Sequence, residues 1–400
     1  MAGFWDRRKL TLLLSIFSKL EYGRLTVTLP DGEVREFSGT KDGPHASLKI
    51  NTHDAVSRML RDGKMGFCEA VMDGALESSS MAELIELAVL QGSDLDARME
   101  ASLMRRVGLK LYHQLRSNTR SGSARNIAHH YDLGNEFYES WLDGTMTYSS
   151  ALYEAESDDL STAQTNKYRR LADLADIQPG DHVLEIGCGW GGFAKFAIEE
   201  RDARVTGITI SKAQYEFATR RLAEAGLSDR ADVRLVDYRD VEGTFDRIVS
   251  IEMFEAVGQA YWQTYFESVS RLLKRGGRAA LQAITIEEHA FEEYRQNPDF
   301  IQRYIFPGGM LPSMPRLEQP VAAAGLQLVD ARGFGMDYAR TLAEWRHRFN
   351  AAWPALSSGS FDIRFKRMWE LYLSYCEGGF RAGQIDVKHL LFEHRQGNQA

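Results

Sequence analysis

The spacing of apolar residues changes along the chain and divides it into two parts. In the first part, apolar residues at helical spacing predict helices over 5–20, 52–62 and 81–91. Between the first two helices, Leu25, Val27 and Leu29 alternate with polar residues, which predicts a half-buried strand that ends at the turn Pro30-Asp31-Gly32. We therefore expect residues 1–115 to form an N-terminal domain of mixed and largely helical structure.

From about residue 165 onward, short apolar runs alternate with amphipathic segments. This alternation is typical of an α/β fold in which helices cover both faces of a doubly wound, mostly parallel sheet. The predicted helices are 164–176, 193–200, 211–226 and 261–274, and the last of them ends at Arg275-Gly276-Gly277. The predicted strands are 182–187, 204–209, 232–237, 245–251 and 278–284.

Two further segments separate or interrupt these parts. Residues 116–130 are polar, basic and loop-like, which predicts a linker before a second domain over 131–400. Residues 286–320 break the regular alternation, and 306–312 is too rich in proline and glycine for the interior of a helix. We expect segment 286–320 to cover the edge of the sheet.

The string Val183-Leu184-Glu185-Ile186-Gly187-Cys188-Gly189-Trp190-Gly191 is a strand that enters a glycine-rich turn. Glycines at the alternate positions Gly187, Gly189 and Gly191 let the backbone bend sharply and approach a flat ligand. With the helix that follows, they predict a nucleotide-type cofactor site at the carboxyl edge of a parallel sheet. The G-x-G-x-G spacing differs from the G-x-G-x-x-G of dinucleotide-binding proteins.

The residues at the ends of the following strands indicate which cofactor the site binds. The second strand ends at Thr209 without the acidic residue that binds ribose hydroxyls in nicotinamide-dependent enzymes. After the third strand, Asp237 and Tyr238 can hydrogen-bond to an adenine and stack on it. After the fourth strand, Glu252-Met253-Phe254-Glu255 stands where a reacting group should project into the crevice, and we expect Glu255 to carry this role.

Composition excludes several other classes of protein. The 400 residues are 44 % hydrophobic and 26 % charged, which is typical of globular proteins, and the net charge of −8 disfavours nucleic acid as a partner. The three cysteines are too few and too widely spaced for a disulfide framework or a metal site. No run approaches the roughly 20 apolar residues that cross a bilayer, so we expect a cytoplasmic protein.

The stretch 101–131 has a charge opposite to that of the chain as a whole. One interpretation is a solvated connector. The other is a patch that faces anionic lipid headgroups, where each basic residue contributes about 1 kcal/mol. With the amphipathic N-terminal helix, the second interpretation predicts peripheral contact with the inner membrane surface. The basic residues are Arg105, Arg106, Lys110, Arg116, Arg120 and Arg125, and the stretch has no acidic residue.

The sequence resembles a known family, the cyclopropane-fatty-acyl-phospholipid synthases and the related mycolic acid cyclopropane synthases. The resemblance covers most of the chain, and the N-terminal domain resembles the lipid-facing domain of the phospholipid enzymes. The matching strings are His130-Tyr131-Asp132-Leu133-Gly134-Asn135, Met146-Thr147-Tyr148-Ser149, the glycine turn, Gly207-Ile208-Thr209-Ile210-Ser211, Asp237-Tyr238-Arg239-Asp240, Phe254-Glu255, Tyr304-Ile305-Phe306-Pro307-Gly308-Gly309 and Phe365-Lys366-Arg367-Met368.

The resemblance implies a class I methyltransferase fold of Rossmann-like type that uses S-adenosylmethionine. It also implies an unsaturated phospholipid acyl chain as acceptor, covered by segment 286–320, and a homodimer. Carried over by position, the expected contacts to S-adenosylmethionine are Tyr148, Ser149, Gly187, Gly189, Gly191, Thr209, Gln214, Asp237 and Tyr238.

The implied reaction begins with an alkene that attacks a sulfonium methyl group and ends with the loss of a proton. Because an alkene is a weak nucleophile, alignment and a dry pocket matter more than an activated side chain. Aromatic faces can stabilise the carbocation that forms. The aromatic candidates are Phe254, Tyr265, Tyr304, Phe306 and Tyr338.

The resemblance implies that a bound bicarbonate takes the proton. The residues of the implied bicarbonate site are those in which this chain differs most from the family. Glu255, Ile284 and Tyr338 match the family's residues, but Ser150 stands at a cysteine position and Gln282 at a histidine position. Serine and glutamine can donate hydrogen bonds, but neither is a base near pH 7. We expect bicarbonate to bind more weakly or in a different pose, with Glu255 as its anchor or as a direct base.

These changes leave two products open. Ring closure gives a cyclopropane, whereas loss of a different proton gives a methyl-branched or methylene-bearing chain that keeps a double bond. Two other classes of function are a methyltransferase for soluble small molecules and a non-enzymatic lipid-binding protein. The effect of vesicles on activity distinguishes the first, and binding of S-adenosylmethionine distinguishes the second.

Overall fold

The structure is a computed structural model that describes residues 4–92, 133–359 and 361–395. The predicted linker 116–130 and the basic stretch 101–131 lie outside the described residues. The chain forms two compact units. Among the described residues, the first comprises 4–92, 296–305, 342–359 and 361–384, and the second comprises 133–295, 306–341 and 385–395.

The helices and strands are numbered separately in chain order. The helices are α1 Phe4–Phe17, α2 His53–Met72, α3 Met81–Leu90, α4 Asn135–Glu139, α5 Leu160–Leu174, α6 Gly192–Arg201, α7 Lys212–Glu224, α8 Trp262–Leu272, α9 Glu288–Gln296, α10 Met314–Ala323, α11 Gly335–Leu356 and α12 Ile363–Arg381. Short 3₁₀ turns cover Tyr238–Asp240, Phe254–Ala256 and Gln259–Tyr261, and a π turn covers Ile301–Ile305. The strands are β1 Tyr22–Thr28, β2 Val34–Ser38, β3 Lys41–Ile50, β4 Leu76–Glu77, β5 His182–Ile186, β6 Arg204–Thr209, β7 Ala231–Leu235, β8 Phe245–Ile251, β9 Leu273–Ile286, β10 Leu326–Gly333 and β11 Ile385–His394.

The first unit combines helices with a four-stranded sheet in the order β2-β1-β3-β4. Thr52 is the N-cap of helix α2, and its hydroxyl oxygen accepts a hydrogen bond from Ala55 N at 3.3 Å. At Gly63 the backbone turns to a φ of +55°, which glycine tolerates, and the helix then resumes. The predicted helix 52–62 is therefore confirmed as the first half of a longer, kinked helix.

The second unit is built on a seven-stranded sheet in the order β10-β11-β9-β8-β5-β6-β7. Strands β9, β8, β5, β6 and β7 are parallel to one another, and at one edge β11 is antiparallel to both of its neighbours, β9 and β10. The predicted doubly wound, mostly parallel sheet is confirmed.

Alternate residues of the parallel strands enter two separate hydrophobic clusters. Val183 packs with residues of α5 and α6, whereas its neighbour Leu184 packs with residues of α8 and α10. Because successive side chains of a strand point to opposite faces, both faces of the sheet are buried. This explains why the apolar residues Val183 and Leu184 are adjacent in β5 and do not alternate with polar ones.

One predicted boundary is wrong. Helix 261–274 was expected to end at Arg275-Gly276-Gly277, but α8 ends at Leu272 and β9 begins at Leu273. The pairing of β9 with β8 starts at Leu273 and then shifts register, so hydrogen bonds to the sheet replace the last helical turn. The basic residues and glycines therefore belong to the start of a strand.

No helix in the described ranges is both long enough and apolar enough to cross a bilayer.

Candidate functional site

Two strand ends lie side by side where the order of the parallel strands reverses. Strand β5 lies between β6 and β8, so the chain proceeds outward on either side of it. The glycine turn follows β5, and Glu252 directly follows β8. Open α/β sheets bind ligands in the crevice at this position.

The three glycines of the turn have backbone conformations that other residues disfavour. The φ angles of Gly187, Gly189 and Gly191 are +84°, +52° and +79°. A Cβ atom on Gly187 would lie 2.8 Å from Met253 Cγ, and one on Gly191 would lie 3.2 Å from Ala218 Cβ. A Cβ on Gly189 would meet no atom of the described residues within 4 Å, so the backbone there borders open space.

Thr209 and Gln214 form a buried polar pair at the end of β6. Thr209 Oγ1 donates to Gln214 Oε1 at 2.8 Å and accepts from Ser211 N at 3.1 Å. Ser211 is the N-cap of α7, and its hydroxyl accepts from Gln214 N at 3.4 Å. The N-cap thus brings together two residues that the sequence analysis assigned to the cofactor.

Asp237 and Tyr238 follow β7, and the Asp237 carboxylate is paired with the guanidinium group of Arg239. Its carboxylate accepts hydrogen bonds from Arg239 Nε at 2.8 Å and Nη2 at 2.6 Å. The Tyr238 ring lies edge-on to Tyr265, with 5.4 Å between centroids. Burial raises the pKa of Tyr238 to about 12, so its hydroxyl is neutral near pH 7.

Tyr148 and Ser149 have different surroundings. The Tyr148 ring lies 5.3 Å from Tyr138 and 5.6 Å from Trp141, in an aromatic cluster. Ser149 Oγ accepts a hydrogen bond from Lys167 Nζ at 2.7 Å. Ser149 is therefore tied to a buried ammonium group that sequence reasoning did not identify.

The residues present fit S-adenosylmethionine. The open backbone at Gly189 leaves room for a flat group, and the turn leads into the N-terminus of α6, where the helix dipole favours anionic and polar ligands. Hydroxyl, amide and carboxylate groups of Thr209, Gln214 and Asp237 follow the neighbouring strands of the same sheet edge.

Glu255 lies in the 3₁₀ turn after β8, with one oxygen bound and one buried. Its Oε1 accepts a hydrogen bond from Ile284 N at 2.5 Å. Its Oε2 is buried and has no hydrogen-bond partner among the described residues. The proline- and glycine-rich segment 306–312 reaches this point, because Met310 N donates to Glu255 O at 2.8 Å.

The five residues assigned to the bicarbonate site separate into two groups in the structure. The backbone N–H of Ile284 binds Glu255. Ser150, Gln282 and Tyr338 instead surround Glu252, a residue outside the predicted set. Glu252 Oε1 accepts from Ser150 N at 2.8 Å and from Gln282 Nε2 at 2.7 Å, and its Oε2 accepts from Tyr338 Oη at 2.6 Å. Sequence reasoning placed all of these groups around one anion and missed the second carboxylate.

Gln282 is held at both ends. It lies on β9, opposite Ile251 of β8 and His389 of β11. Its Nε2 also donates to Ser150 O at 3.2 Å, and its Oε1 accepts from His389 Nε2 at 2.9 Å. Burial lowers the pKa of His389 to about 3, so the imidazole is neutral and this tautomer donates to the amide oxygen.

Lys167 is the positive charge beside these carboxylates. Its side chain on α5 is fully buried, at 0 % exposure. Burial lowers the pKa of Lys167 to about 7, against the opposing attraction of Glu252, Asp143 and Glu185. The ammonium therefore exists near neutrality only because acidic groups surround it.

The two glutamates have raised pKa values but different surroundings. Burial, together with repulsion from Glu252, raises the pKa of Glu255 to about 8. Burial also raises the pKa of Glu252, but hydrogen bonds from Tyr338 and Gln282 and the charge of Lys167 oppose this effect. A pair of carboxyl groups with different environments is a common arrangement in active sites.

Two signals in the sequence could have indicated the missed residues. Glu252 precedes Glu255 by three positions in the string that follows a parallel strand. Lys167 lies on the apolar face of α5, at helical spacing from Leu160, Ala163 and Leu171. A lysine on such a face is rarely buried without an acidic partner, so its position indicates a nearby carboxylate. His389 carried no comparable signal, because β11 was not predicted.

The aromatic candidates have different positions in the structure. Phe254 and Tyr265 are buried in the core cluster of the second unit. Tyr304 belongs to the first unit, where its hydroxyl donates to Glu69 Oε1 at 3.0 Å. Tyr338 is bound to Glu252.

Two family models match this chain. The model described as mycolic acid cyclopropane synthetase matches residues 118–390. A domain of unknown function, DUF7884, matches residues 12–96.

Known proteins of similar sequence and structure include enzymes of lipid modification. The tuberculostearic acid methyltransferase UfaA1 of Mycobacterium tuberculosis is 40 % identical over 88 % of this chain and 84 % of its own. The cyclopropane-fatty-acyl-phospholipid synthase of Escherichia coli is 36 % identical over 87 % of each chain. The crystal structure of mycolic acid cyclopropane synthase CmaA1 with SAH and CTAB is 30 % identical, with a TM-score of 0.61, over 67 % of this chain and 97 % of that one.

Proposed function

Because this chain belongs to the mycolic acid cyclopropane synthetase family of S-adenosylmethionine-dependent lipid-modifying enzymes, we propose that it alkylates a double bond in an unsaturated phospholipid acyl chain. The observation that carries the proposal is the buried Glu255 Oε2, which has no hydrogen-bond partner in the described part of the chain. The 3₁₀ turn that carries Glu255 follows the carboxyl end of β8, and Met253, just before this turn, lies against Gly187 of the glycine turn. The site therefore offers a proton acceptor next to the place of the methyl donor.

S-adenosylmethionine supplies an electrophilic methyl carbon, toward which the π electrons of the acyl alkene form a new C–C bond as the C–S bond breaks. The carbocation left on the acyl chain must then lose a proton. Glu255 Oε2 accepts that proton, and the C–H electron pair closes a third C–C bond to give a cyclopropane. Because the pKa of Glu255 is about 8, this carboxylate is a stronger base than an ordinary glutamate.

The apolar surroundings of Glu255 support this chemistry. Phe254 and Val257 beside it are buried in the core, and segment 306–312 reaches its backbone. Water would capture a carbocation, so exclusion of water is necessary for a clean product.

A second product is favoured by one specific observation. Ser150 and Gln282, at the positions of the family's cysteine and histidine, both donate to Glu252 and not to Glu255. Proton acceptance at a differently arranged site can remove a proton from the acyl carbon beside the cation, which gives a methyl-branched chain that keeps a double bond. If a 1,2-hydride shift first moves the cation to the methylated carbon, loss of a proton from the new methyl group gives the methylene chain. The methyl-transfer step is common to both products.

The experiment that tests the proposal uses the purified full chain with vesicles of monounsaturated phosphatidylglycerol and labelled S-adenosylmethionine. Mass spectrometry of the lipids is expected to show the gain of one CH₂ unit, and vesicles of saturated phosphatidylglycerol are the matched control. Derivatisation of remaining double bonds then separates the ring from the open-chain product. No CH₂ gain on any unsaturated lipid, or equal transfer to a soluble small molecule without vesicles, contradicts the proposal.

Contact with an anionic membrane surface and a homodimer are further parts of this proposal. The support for membrane contact is the basic sequence 101–131 and the substrate, which resides in a bilayer. The support for the dimer is the family resemblance.

A further inference from the structure

We propose that the Glu252 carboxylate is the resident anion of this site: it takes the hydrogen-bond donors expected to hold bicarbonate and supplies negative charge beside Glu255, which accepts the proton. The inference rests on the proposed function, because it concerns the same proton-transfer step. An enzyme whose own Glu252 carboxylate fills the anion site does not need bicarbonate for turnover.

Three donors from separate segments converge on this one carboxylate. Ser150 N comes from the loop before α5, Gln282 Nε2 from β9 and Tyr338 Oη from α11. Their distances of 2.8, 2.7 and 2.6 Å are those of charge-assisted hydrogen bonds. These three donors form an anion-binding site, and the anion that they bind is a carboxylate of the same chain.

The same donors do not fit a bicarbonate in addition. The one hydroxyl hydrogen of Tyr338 is used, and both hydrogens of the Gln282 amide are directed to Glu252 and Ser150 O. The amide cannot simply rotate, since His389 Nε2 donates to its oxygen. A second anion here would also be repelled by the charge of Glu252.

The backbone at Glu252 indicates that this arrangement is enforced by its surroundings. Glu252 has a φ of +48°, in the left-handed region that a glutamate rarely adopts. Its N–H donates to Gln282 O at 2.8 Å, so backbone and side chain are both bound to the same residue. Such a conformation persists only where the neighbouring structure determines it, often at functional sites.

Glu252 acts through its charge on Glu255 and on the carbocation. Its negative charge contributes to the raised basicity of Glu255 and attracts positive charge that develops on the acyl chain. The other titratable groups around the pair are Lys167 on α5, Tyr338 on α11, Tyr265 on α8 and His389 on β11, with Asp143 and Glu185 near Lys167. Glu252 is therefore a positioning and tuning residue, and Glu255 remains the proton acceptor.

The first test measures turnover of the wild-type chain in CO₂-free buffer, with and without added sodium bicarbonate. We expect equal rates. A rate that falls to background without bicarbonate and returns when it is added overturns the inference, while the proposed function stands.

The second test uses Glu252→Gly, which opens the anion site and suits the positive φ. In CO₂-free buffer we expect a loss of about 100-fold or more, and partial recovery with bicarbonate or formate but not with chloride. Full activity without any added anion, or loss without rescue by either anion, overturns the inference. Thermal unfolding shows whether the variant is folded.

Two further measurements test the inference independently of the proposed function. They also distinguish an electrostatic role of Glu252 from a merely structural one. Line broadening of ¹³C-bicarbonate is expected with Glu252→Gly and not with the wild type, and this measurement needs no turnover. In Glu252→Gln, the pH at which activity rises should move to lower values, because the charge that raises the basicity of Glu255 is gone. Equal broadening by both proteins, or an unmoved pH profile, overturns the inference.

Discussion

The hydroxyl of Tyr338 donates to Glu252 Oε2 across 2.6 Å, although the two residues are 86 positions apart in the chain. Ser150, 102 positions from Glu252 in the other direction, donates its backbone N–H to the same carboxylate. The carboxylate thus connects α11, the end of β8 and the loop before α5. Only the folded chain has this anion site.

Replacing Glu255 by glutamine keeps the size of the side chain and removes the proposed proton acceptor. We expect turnover to fall by about 100-fold or more, with unchanged affinity for S-adenosylmethionine by calorimetry. Glu242→Gln, at an exposed position, is the matched control. Turnover of Glu255→Gln close to that of the wild type would refute the role of Glu255.

Turnover of the wild type should rise with pH through about 8. Glu255 accepts a proton only in its ionised form, and its pKa is raised to about 8. Initial rates on unsaturated vesicles across this range, corrected for vesicle binding, check the prediction. A rate that falls as pH rises through the same range would argue for Glu255 as a proton donor.

The same group should make folding stability depend on pH. Its pKa is raised from 4.5 to about 8, so its contribution to stability is complete below pH 4.5 and is lost as pH rises through about 8. The melting temperature of Glu255→Gln, measured relative to that of the wild type at the same pH, should therefore rise as the pH increases from about 4.5 to above 8. A constant difference between the two melting curves would show that the pKa of Glu255 is not raised.

Gly189→Ala should weaken binding of S-adenosylmethionine by about tenfold or more, a change of about 1.4 kcal/mol. The new Cβ would occupy the open space beside the turn. Gly180→Ala is the control, since Gly180 also has a positive φ of +83° and open space around it but lies before β5. Both variants should lose about 1–2 kcal/mol of stability to left-handed strain, and only the first should lose affinity by calorimetry. Equal affinities would exclude Gly189 from the cofactor site.

Gln282→Leu should destabilise the protein by about 2–4 kcal/mol, because it removes partners from Glu252, Ser150 O and His389 at once. Urea unfolding measures the free energy of unfolding. Gln263→Leu, on the exposed face of α8, should change it by less than about 0.5 kcal/mol. Similar small effects in both variants would mean that the Gln282 contacts add little.

Replacing Arg116, Arg120 and Arg125 by glutamine should weaken binding to anionic vesicles by about 100-fold, since each charge contributes about 1 kcal/mol. Sedimentation with phosphatidylglycerol vesicles at low and high salt measures it, with phosphatidylcholine vesicles as the neutral control. Binding that is insensitive to both salt and the substitutions would support the alternative of a solvated connector.

Much of the α/β unit was predictable because its signals are local. Strands buried on both faces read as apolar runs, and the glycine turn needs positive φ at fixed spacing. The antiparallel strands β10 and β11 were not predicted, and neither was the end of α8. Both depend on pairing with distant segments, which local patterns do not record.

The sequence by itself determined the family, the parallel sheet and the type of methyl donor, because these depend on short motifs and on hydrophobic periodicity. It also indicated which residue types had changed at Ser150 and Gln282. Only the tertiary structure decided which carboxylate those residues bind. Hydrogen-bond partners from α5, β9, β11 and α11 are brought together by folding, and burial then sets the charge of Glu252, Glu255 and Lys167.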